Sequence, residues 1–366
     1  MSRIIKHKWL HWTRVLPAVA FLALIVSWIV HPTAALVLVV LTILLIGSII
    51  ASVHHAEVIA KRVGEPFGSL VLAVAVTVIE VGLILTLMAS GKGSATLARD
   101  TVFAAVMITI NGIMGLSLTV SAARHSTSRF SALGSGGALA TVTALAGICL
   151  VLPRFTVSDP SPSYTPSQLA FAGIASLVLY GLFIAAQTGR HRSSFLPIDE
   201  DGMPIDTDDD SWTPTTGATL RSLGFLLIAL VAVVGLAKIL SPTIEAGVAA
   251  AGLPPGFVGV IIALVVLAPE SLAAVRAARQ NRVQVSLNLA LGSAMASIGL
   301  TIPTLAVAMI WFPGEFYLGL GSTQIVLLVM SVLLAMLTIA PGRATRLQGG
   351  VHLVILAAYI FLAANP

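Results

Sequence analysis

The stretch AVTVIEVGLILTLMASG, residues 75–91, decides the class of fold because it is apolar enough to lie in lipid yet carries Glu80 near its centre. The rest of the chain has the same character. Of its 366 residues, 57% are hydrophobic and 10% are charged, and the mean hydropathy is +1.00. Soluble domains carry about 25% charged residues. The composition therefore indicates a polytopic membrane protein.

A helix that spans a membrane needs about 20 mostly apolar residues, and the sequence contains about eleven such segments. Their predicted ranges are 14–31, 33–53, 66–90, 98–122, 132–153, 166–187, 219–241, 254–276, 283–312, 321–340 and 346–363. The predicted fold class is thus all-α, a polytopic membrane protein with about eleven transmembrane helices. The single cysteine, Cys149, excludes an intramolecular disulfide.

The order of the helices indicates an internal duplication. Without the first helix, about five helices precede a hydrophilic linker and about five follow it. Because five is odd, the second copy enters the membrane from the opposite face, as in inverted repeats. Glu80 follows Phe67 by 13 residues, and Glu270 follows Phe257 by 13 residues, each in the second helix of its half. We therefore predict one N-terminal helix plus two inverted five-helix repeats. The predicted domains are 1–32, a basic segment with the first helix; 33–188, the first repeat; 189–218, an acidic cytoplasmic linker; and 219–366, the second repeat.

The linker is the only long hydrophilic stretch, and it is too short and too polar to form a core of its own. Its acidic residues are Asp199, Glu200, Asp201, Asp206, Asp208, Asp209 and Asp210. These carboxylates could concentrate cations at the cytoplasmic mouth or regulate the protein. A solvated connector accounts for them more simply.

The distribution of Lys and Arg predicts the orientation, since short cytoplasmic loops collect positive charge. With the N-terminus inside, the cytoplasmic side receives Arg3, Lys6, Lys8, Arg14, Lys61, Arg62, Arg124, Arg129, Arg190, Arg192, Arg221, Arg276, Arg279, Arg282, Arg343 and Arg346. The opposite side receives Lys92, Arg99, Arg154 and Lys238. The net charge of +5 therefore reflects topology, and we expect no nucleic-acid partner.

Glu80 and Glu270 are expected near the middle of the membrane, where a carboxylate is costly and almost always faces a cavity or a partner. Two such groups can hold protons or bind a metal ion. Ca2+ takes 6 to 8 oxygen ligands and tolerates irregular geometry, and Pro269 is expected to break its helix and free backbone oxygens. The possible supporting ligands are Thr77, Asn111, Asn288, Ser293 and Ser297. These polar side chains are equally suited to helix packing.

The sequence HHAE offers a second candidate site at the cytoplasmic end of the second helix. His54 and Glu57 are three residues apart and share a helical face with the spacing of a metal or pH sensor. His55 lies between them in sequence. At a membrane surface, polar side chains that meet water explain this pattern more simply.

Two stretches resemble a known family. GEPFGSLVLAVAVTVIEVGLILTL, from residue 64, and LAPESLAAVRAARQNRVQVSLNLALGSAMASIGLTIP, from residue 267, are similar to the two α-repeats of the cation/calcium exchanger superfamily, specifically its ChaA-type bacterial calcium/proton antiporters. The similarity covers nearly the whole chain. It departs from the family pattern in the residues before the glutamates, TVI and LAP, and in Ala296, where related calcium exchangers carry glutamine.

The resemblance implies that Glu80 and Glu270 bind the cation and the proton, and that the protein exports Ca2+ in exchange for H+ across a bacterial cytoplasmic (inner) membrane. The expected partners are inorganic cations, protons and the lipid bilayer; no cofactor is expected, and Ca2+ (or Na+/K+) and H+ are the transported species. A Na+/H+ or K+/H+ antiporter on the same scaffold is the alternative, and a passive cation channel is a more distant one. An enzyme is not expected, because the chain carries neither HExxH nor GxSxG.

Overall fold

The computed structural model describes residues 2–64, 67–89, 95–157, 161–198, 203, 213–311 and 316–366. Within these ranges, 11 helices are long and apolar enough to cross a membrane. They are Trp12–Val30, Ala35–Val63, Val71–Met88, Leu97–Arg124, Ala132–Arg154, Pro166–Thr188, Thr216–Ala250, Phe257–Arg279, Val283–Ala308, Ser322–Ile339 and Arg346–Ala364. The predicted all-α membrane fold and its number of spans are confirmed.

The helices are numbered in chain order. They are α1 (Ser2–Val30), α2 (Ala35–Val63), α3 (Phe67–Ala89), α4 (Leu97–Met107), α5 (Met114–His125), α6 (Ala132–Ala146), α7 (Pro166–Thr188), α8 (Thr216–Ala250), α9 (Phe257–Arg279), α10 (Val283–Gly299), α11 (Thr301–Ala308), α12 (Ser322–Ile339) and α13 (Arg346–Ala364). Two short strands, β1 (Ser128–Arg129) and β2 (Arg343–Ala344), pair in an antiparallel ribbon.

Three spans are built from more than one helical segment. A π-helical segment, Ile108–Ile113, joins α4 to α5, and a second, Gly147–Val151, extends α6. A short 3₁₀ segment, Leu152–Arg154, ends the α6 span. The helix α10 gives way to α11 at Leu300, and Pro303 lies in the first turn of α11, where a missing amide hydrogen is tolerated.

Local sequence explains where several helices begin. Thr165 and Gln168 form a reciprocal capping box at the start of α7, and Pro166 occupies the first helical position. Before α13, the Gln348 side chain accepts from the backbone nitrogen of Thr345 at 2.6 Å. These caps satisfy backbone amides that a helix leaves without a partner at its N-terminal end.

The chain divides into two compact units. Unit 1 contains the described residues of Met1–Ser94 and Trp212–Val258, and therefore α1, α2, α3 and α8. Its helices pack through apolar side chains, among them Ala56 and Ile59 of α2, Ala75 of α3 and Leu226 of α8. Burial of apolar surface from water stabilises a fold by about 25 cal/mol per Å2. Inside a membrane the helices are held together by close van der Waals packing instead.

Unit 2 contains the described residues of Ala95–Ser211 and Gly259–Pro366, with α4–α7, α9 from Gly259 onward, and α10–α13. The helices α5 and α13 approach closely because Gly349 faces Gly115: a Cβ at Gly349 would lie 2.8 Å from the Gly115 carbonyl oxygen and 2.7 Å from the Thr119 nitrogen. Small residues at such a crossing allow the backbones to touch. Each unit takes helices from both predicted repeats.

Two helices continue about nine or ten residues past the C-terminal ends of their predicted spans. The helix α2 continues to Val63, and α8 continues to Ala250 with Pro242 inside it. Hydropathy identifies the apolar part of a helix that can lie in the membrane. It does not identify the end of the helix, because polar residues can continue the helical backbone beyond the apolar run. The helix α2 ends at Gly64, which adopts a positive φ of 75°.

Candidate functional site

Glu80 lies on α3 in unit 1 and is buried, with 4% of its surface exposed. Thr77 lies one turn earlier on the same helix and is also buried. Close packing surrounds this part of α3, since a Cβ at Gly82 would lie 2.6 Å from Cγ2 of Val234 on α8. The glutamate is thus held on a membrane-spanning helix, with the Thr77 hydroxyl as the nearest predicted supporting group along the chain.

Glu270 lies on α9 in unit 2 and is likewise buried, with 8% of its surface exposed. The predicted helix break at Pro269 is wrong: α9 runs without interruption from Phe257 to Arg279. A proline inside a helix removes one amide donor, here the one that would reach the Val265 carbonyl oxygen, yet the flanking turns can keep helical dihedrals. The next residue after Glu270 is Ser271, whose hydroxyl donates to the Leu267 carbonyl oxygen at 2.7 Å.

Asn288 is held by its neighbours in unit 2. Its Nδ2 donates to the carbonyl oxygen of Phe195 at 2.6 Å, and its Oδ1 accepts from Nε2 of Gln284 at 2.8 Å. Gln284 also accepts from the backbone nitrogen of Ser131 at 2.7 Å. Gln284 thus connects α10 to the start of α6, and Asn288 connects α10 to the linker. Ser293 and Ser297 follow on α10, one turn apart from each other.

Asn111 lies in the π-helical segment of unit 2 and is fully buried. Its Nδ2 donates to Oγ of Ser331 at 2.8 Å, and its Oδ1 lies 3.1 Å from Nδ1 of His352. The other ring nitrogen of His352, Nε2, lies 3.2 Å from Oγ1 of Thr338. A buried polar chain thus joins the π-helical segment to α12 and α13. Segments of π-helix are frequent at functional sites.

The sequence did not identify the partners of these two amides. His352 lies in a largely apolar helix, and Phe195 belongs to the linker. The α10 helix packs against the π-helical segment, so Asn111 and Asn288 belong to neighbouring elements of one unit. Glu80 and Glu270 belong to different units, and their pairing stays a prediction.

The HHAE residues differ in burial and in their contacts. The buried His55 has Nε2 2.9 Å from the Thr13 carbonyl oxygen, and its ring stacks on Phe225 with centroids 5.4 Å apart. His54 is half-buried, whereas Glu57 is exposed. In the described part of the chain, no three or more His, Cys, Asp or Glu residues form a cluster that could hold a metal ion. His55 therefore acts as a packing contact between α1, α2 and α8.

The acidic residues of the linker lie outside the described residues, but its beginning is described. Residues Arg192–Phe195 form a 3₁₀ turn that we call the strap. Phe195 is buried and meets the ring of Phe183 on α7 edge to face, with centroids 5.6 Å apart. Together with the Asn288 bond, this contact fixes the strap on unit 2.

A buried carboxylate that the sequence reasoning missed lies in the first turn of α4. Asp100 makes an ion pair with Arg99 at 2.8 Å and accepts from Oγ1 of Thr96 at 2.8 Å. Arg99 also donates to the Gly319 carbonyl oxygen at 3.1 Å. A negative charge in the first turn stabilises a helix, and Asp100 supplies one to α4. Because Arg99 binds both Asp100 and the Gly319 carbonyl oxygen, the pair anchors the segment before α12 to the start of α4.

Comparison with known proteins supplies the family. The model of the sodium/calcium exchanger protein family matches residues 33–189 and 221–364. The chain belongs to the sodium/calcium exchanger family. This membership confirms the predicted resemblance to the cation/calcium exchanger superfamily. The two matched segments have nearly the bounds of the two predicted repeats.

Three relatives illustrate the exchanger family. The protein y4hA of Sinorhizobium fredii, named as a provisional ionic transporter, is 44% identical over 324 residues, covering 88% of this chain and 87% of y4hA. The sodium-potassium/proton antiporter ChaA of Escherichia coli is 33% identical over 352 residues, covering 94% of each chain. The structure of native YfkE has a TM-score of 0.71 at 20% identity and covers 97% of this chain and 100% of YfkE, which shows the fold. These relatives are named as transporters, in accord with the expectation that the protein is not an enzyme.

Proposed function

We propose that this exchanger is a secondary cation/proton antiporter in which protons and a cation compete for Glu80 and Glu270. The observation that carries the proposal is the burial of both carboxylates, at matched positions 13 residues into corresponding membrane helices, in a chain of the sodium/calcium exchanger family. A carboxylate inside a membrane is costly unless a proton or a cation neutralises it.

Competition for the same carboxylates explains coupling. A protonated carboxyl group has lost the negative charge that attracts a cation, so each loaded state excludes the other. If only loaded states change access to the two sides of the membrane, an inward flow of protons drives the cation out. The two predicted repeats, 33–188 and 219–366, are inverted relative to each other in this proposal. Inverted repeats are suited to such alternating access.

We propose Ca2+ as the cation. Two carboxylates supply the negative charge that one Ca2+ neutralises, and together they offer up to four of its 6 to 8 oxygen ligands. The hydroxyl groups of Thr77, Ser293 and Ser297 are the proposed supporting ligands. YfkE is named as a Ca2+/H+ antiporter in another of its structures, although the likeness at 18% identity bears on the fold alone.

A monovalent cation is the second candidate, and one observation favours it. Both predicted amide ligands, Asn111 and Asn288, already make hydrogen bonds with protein groups at 2.6 to 3.1 Å. Fewer oxygens then remain for Ca2+, which needs many. ChaA, 33% identical, is named as a sodium-potassium/proton antiporter.

The proposed location is the bacterial cytoplasmic membrane with the N-terminus in the cytoplasm. The excess of Lys and Arg in alternate loops supports this orientation. The acidic linker between α7 and α8 then lies on the cytoplasmic side.

Transport by inverted vesicles tests the proposal. A respiratory proton gradient is established, and Ca2+, Na+ and K+ are added in turn while a pH-sensitive dye reports the internal pH. We expect one of these cations to dissipate the gradient. Glu80→Gln and Glu270→Gln, which keep the side-chain shape but cannot ionise, should each abolish this response. Glu245→Gln is the matched control, because Glu245 lies on α8 and accepts a hydrogen bond from Ser241 at 3.0 Å.

Two results would reject the proposal. Full activity in both glutamine variants, with normal amounts of protein in the membrane, would remove Glu80 and Glu270 from the site. Cation flux that is indifferent to an imposed pH gradient would favour a passive channel.

A further inference from the structure

The first helix, α1, lies outside the two segments that match the family model, yet within unit 1 it packs against both α2 and α8. A Cβ built at Gly47 of α2 would lie 2.8 Å from Cδ2 of Leu16 on α1. A Cβ built at Gly235 of α8 would lie 2.5 Å from Cδ2 of Leu24, two turns further along α1. Small residues allow such close approach. The helix α1 is thus a brace across α2 and α8.

A third contact of this brace passes through the ring of His55, which is 3% exposed. Its Nε2 lies 2.9 Å from the Thr13 carbonyl oxygen of α1, and because a carbonyl oxygen only accepts, this nitrogen carries a hydrogen and donates it. The ring of His55 also stacks on that of Phe225 of α8, with centroids 5.4 Å apart. We call these two contacts the joint, because one histidine of α2 connects α1 and α8.

The second ring nitrogen of His55, Nδ1, is buried and has no hydrogen-bond partner among the described residues. In the neutral ring it is an acceptor, whereas in the protonated ring it carries a hydrogen and part of a positive charge. A buried group without a partner costs more when it is charged. Attraction to the Phe225 ring offsets part of this cost, but the Nδ1 hydrogen lies in the imidazole plane and does not point at the stacked ring. Protonation therefore weakens the joint.

The charges around His55 oppose its protonation further. The charged or titratable side chains described at this end of unit 1 are Arg14 on α1, His54, Glu57, Lys61 and Arg62 on α2, and Arg221 on α8. Arg14 and His54 act on the His55 ring through their charge. The one acidic member, Glu57, is exposed, and residues two apart do not face each other on a helix. The surroundings of the ring thus favour its neutral form.

We infer that His55 is a proton-controlled switch: its neutral ring holds α1 against α2 and α8, and its charged ring releases this end of α1. Histidine is the side chain whose charge ordinarily changes between pH 5 and 8. The contacts of Leu16 and Leu24 contain no titrating group, so they do not change over this range. The switch does not involve Glu80 or Glu270, so the inference stands whether or not the proposed antiport is correct.

Distances between spin labels in the full-length protein test the inference. Val19→Cys on α1 and Leu227→Cys on α8, both at exposed positions, carry nitroxide labels in a Cys149→Ser background. Pulsed electron paramagnetic resonance of the protein in lipid vesicles then gives the ratio of released to docked α1. If the released ring has the ordinary histidine pKa of about 6.5 and the docked ring stays neutral, this ratio should rise about tenfold between about pH 7.5 and pH 5.5.

Three substitutions in this labelled protein separate the proton from the contact. His55→Gln keeps a nitrogen that can donate to the Thr13 carbonyl oxygen but cannot gain a proton, so the distances should no longer depend on pH. Arg14→Glu keeps His55 and offers a carboxylate to the charged ring, so the rise should be well below tenfold. His54→Gln is the matched control, because it removes the neighbouring histidine, and it should keep the response.

The outcomes that would overturn the inference are equally specific. Distances that do not change with pH when His55 is present would show that its protonation does not release α1. A full response in His55→Gln, or a response lost in His54→Gln, would assign the pH dependence to another group.

Discussion

The strap offers a sharp test of the contacts inside unit 2. Replacing Asn288 by Leu keeps a side chain of similar size but removes two hydrogen bonds, one of 2.6 Å to the Phe195 carbonyl oxygen and one of 2.8 Å from Gln284. Each hydrogen bond contributes about 0.5–1.5 kcal/mol net. Only the bond to Phe195 reaches the strap, because Gln284 lies on the same helix as Asn288, so the free energy that holds the strap in place should fall by about 0.5–1.5 kcal/mol.

Limited proteolysis measures this loss. Between residues 189 and 220, trypsin can cleave only after Arg190 and Arg192, because the linker beyond them contains neither Lys nor Arg. When local opening is fast relative to cleavage, the cleavage rate follows the population of the open strap. A loss of about 0.5–1.5 kcal/mol corresponds to cleavage that is faster by about 2- to 12-fold.

A matched control separates this effect from a general loss of stability. Asn365 donates a similar bond to the Phe361 carbonyl oxygen at 3.1 Å, at the exposed end of α13. Asn365→Leu should leave cleavage of the strap unchanged. If Asn288→Leu is cleaved at the wild-type rate, the hydrogen bond to Phe195 does not hold the strap and the reasoning is refuted.

The remaining predictions concern helix packing and a half-buried tyrosine. Gly349→Val should lower the free energy of unfolding by about 1–3 kcal/mol through overpacking of α5 against α13, measured by denaturation in detergent, whereas Gly350→Ala should be neutral or slightly stabilising; equal effects would contradict this geometry. Tyr164, whose hydroxyl donates to the Ile148 carbonyl oxygen at 2.6 Å, has its pKa raised from 10.0 to about 12 by burial. Tyr164→Phe should therefore lower stability by about 1 kcal/mol at neutral pH. The difference should be constant below pH 10, and it should shrink and then reverse as the pH rises from 10 towards about 12, because the unfolded chain ionises over this range while the folded protein resists ionisation. A stability advantage of the wild type that increases over this range would contradict the reasoning.

Hydropathy alone predicts most of the fold because a membrane helix needs a long apolar run, and such runs are visible without any knowledge of tertiary contacts. It predicts less about helix ends. The helices α2 and α8 continue past their apolar runs, and Pro242 and Pro269 lie inside helices. A proline removes one hydrogen bond, and tertiary packing decides whether the backbone also changes direction.

The candidate site was predictable only in part. A charged or amide side chain inside a span is visible in the sequence, which is why Glu80, Asn111 and Glu270 were identified. Its partner is not visible, because the contact joins distant positions: Asn111 and His352 are 241 residues apart, and Asn288 and Phe195 are 93 apart. For the same reason, the sequence does not show that Arg129 faces Arg343. Only the pairing of β1 with β2 brings these two residues together.

Proton release on cation binding tests the central claim most directly. Calorimetric titration of the purified protein with Ca2+, and in parallel with Na+ and K+, is repeated in buffers of different ionisation enthalpy to obtain the number of protons released for each cation bound. We predict that the transported cation displaces protons from the wild type and that Glu80→Gln and Glu270→Gln each reduce this release. Cation binding without proton release, or undiminished release from both variants, would contradict competition at these two carboxylates.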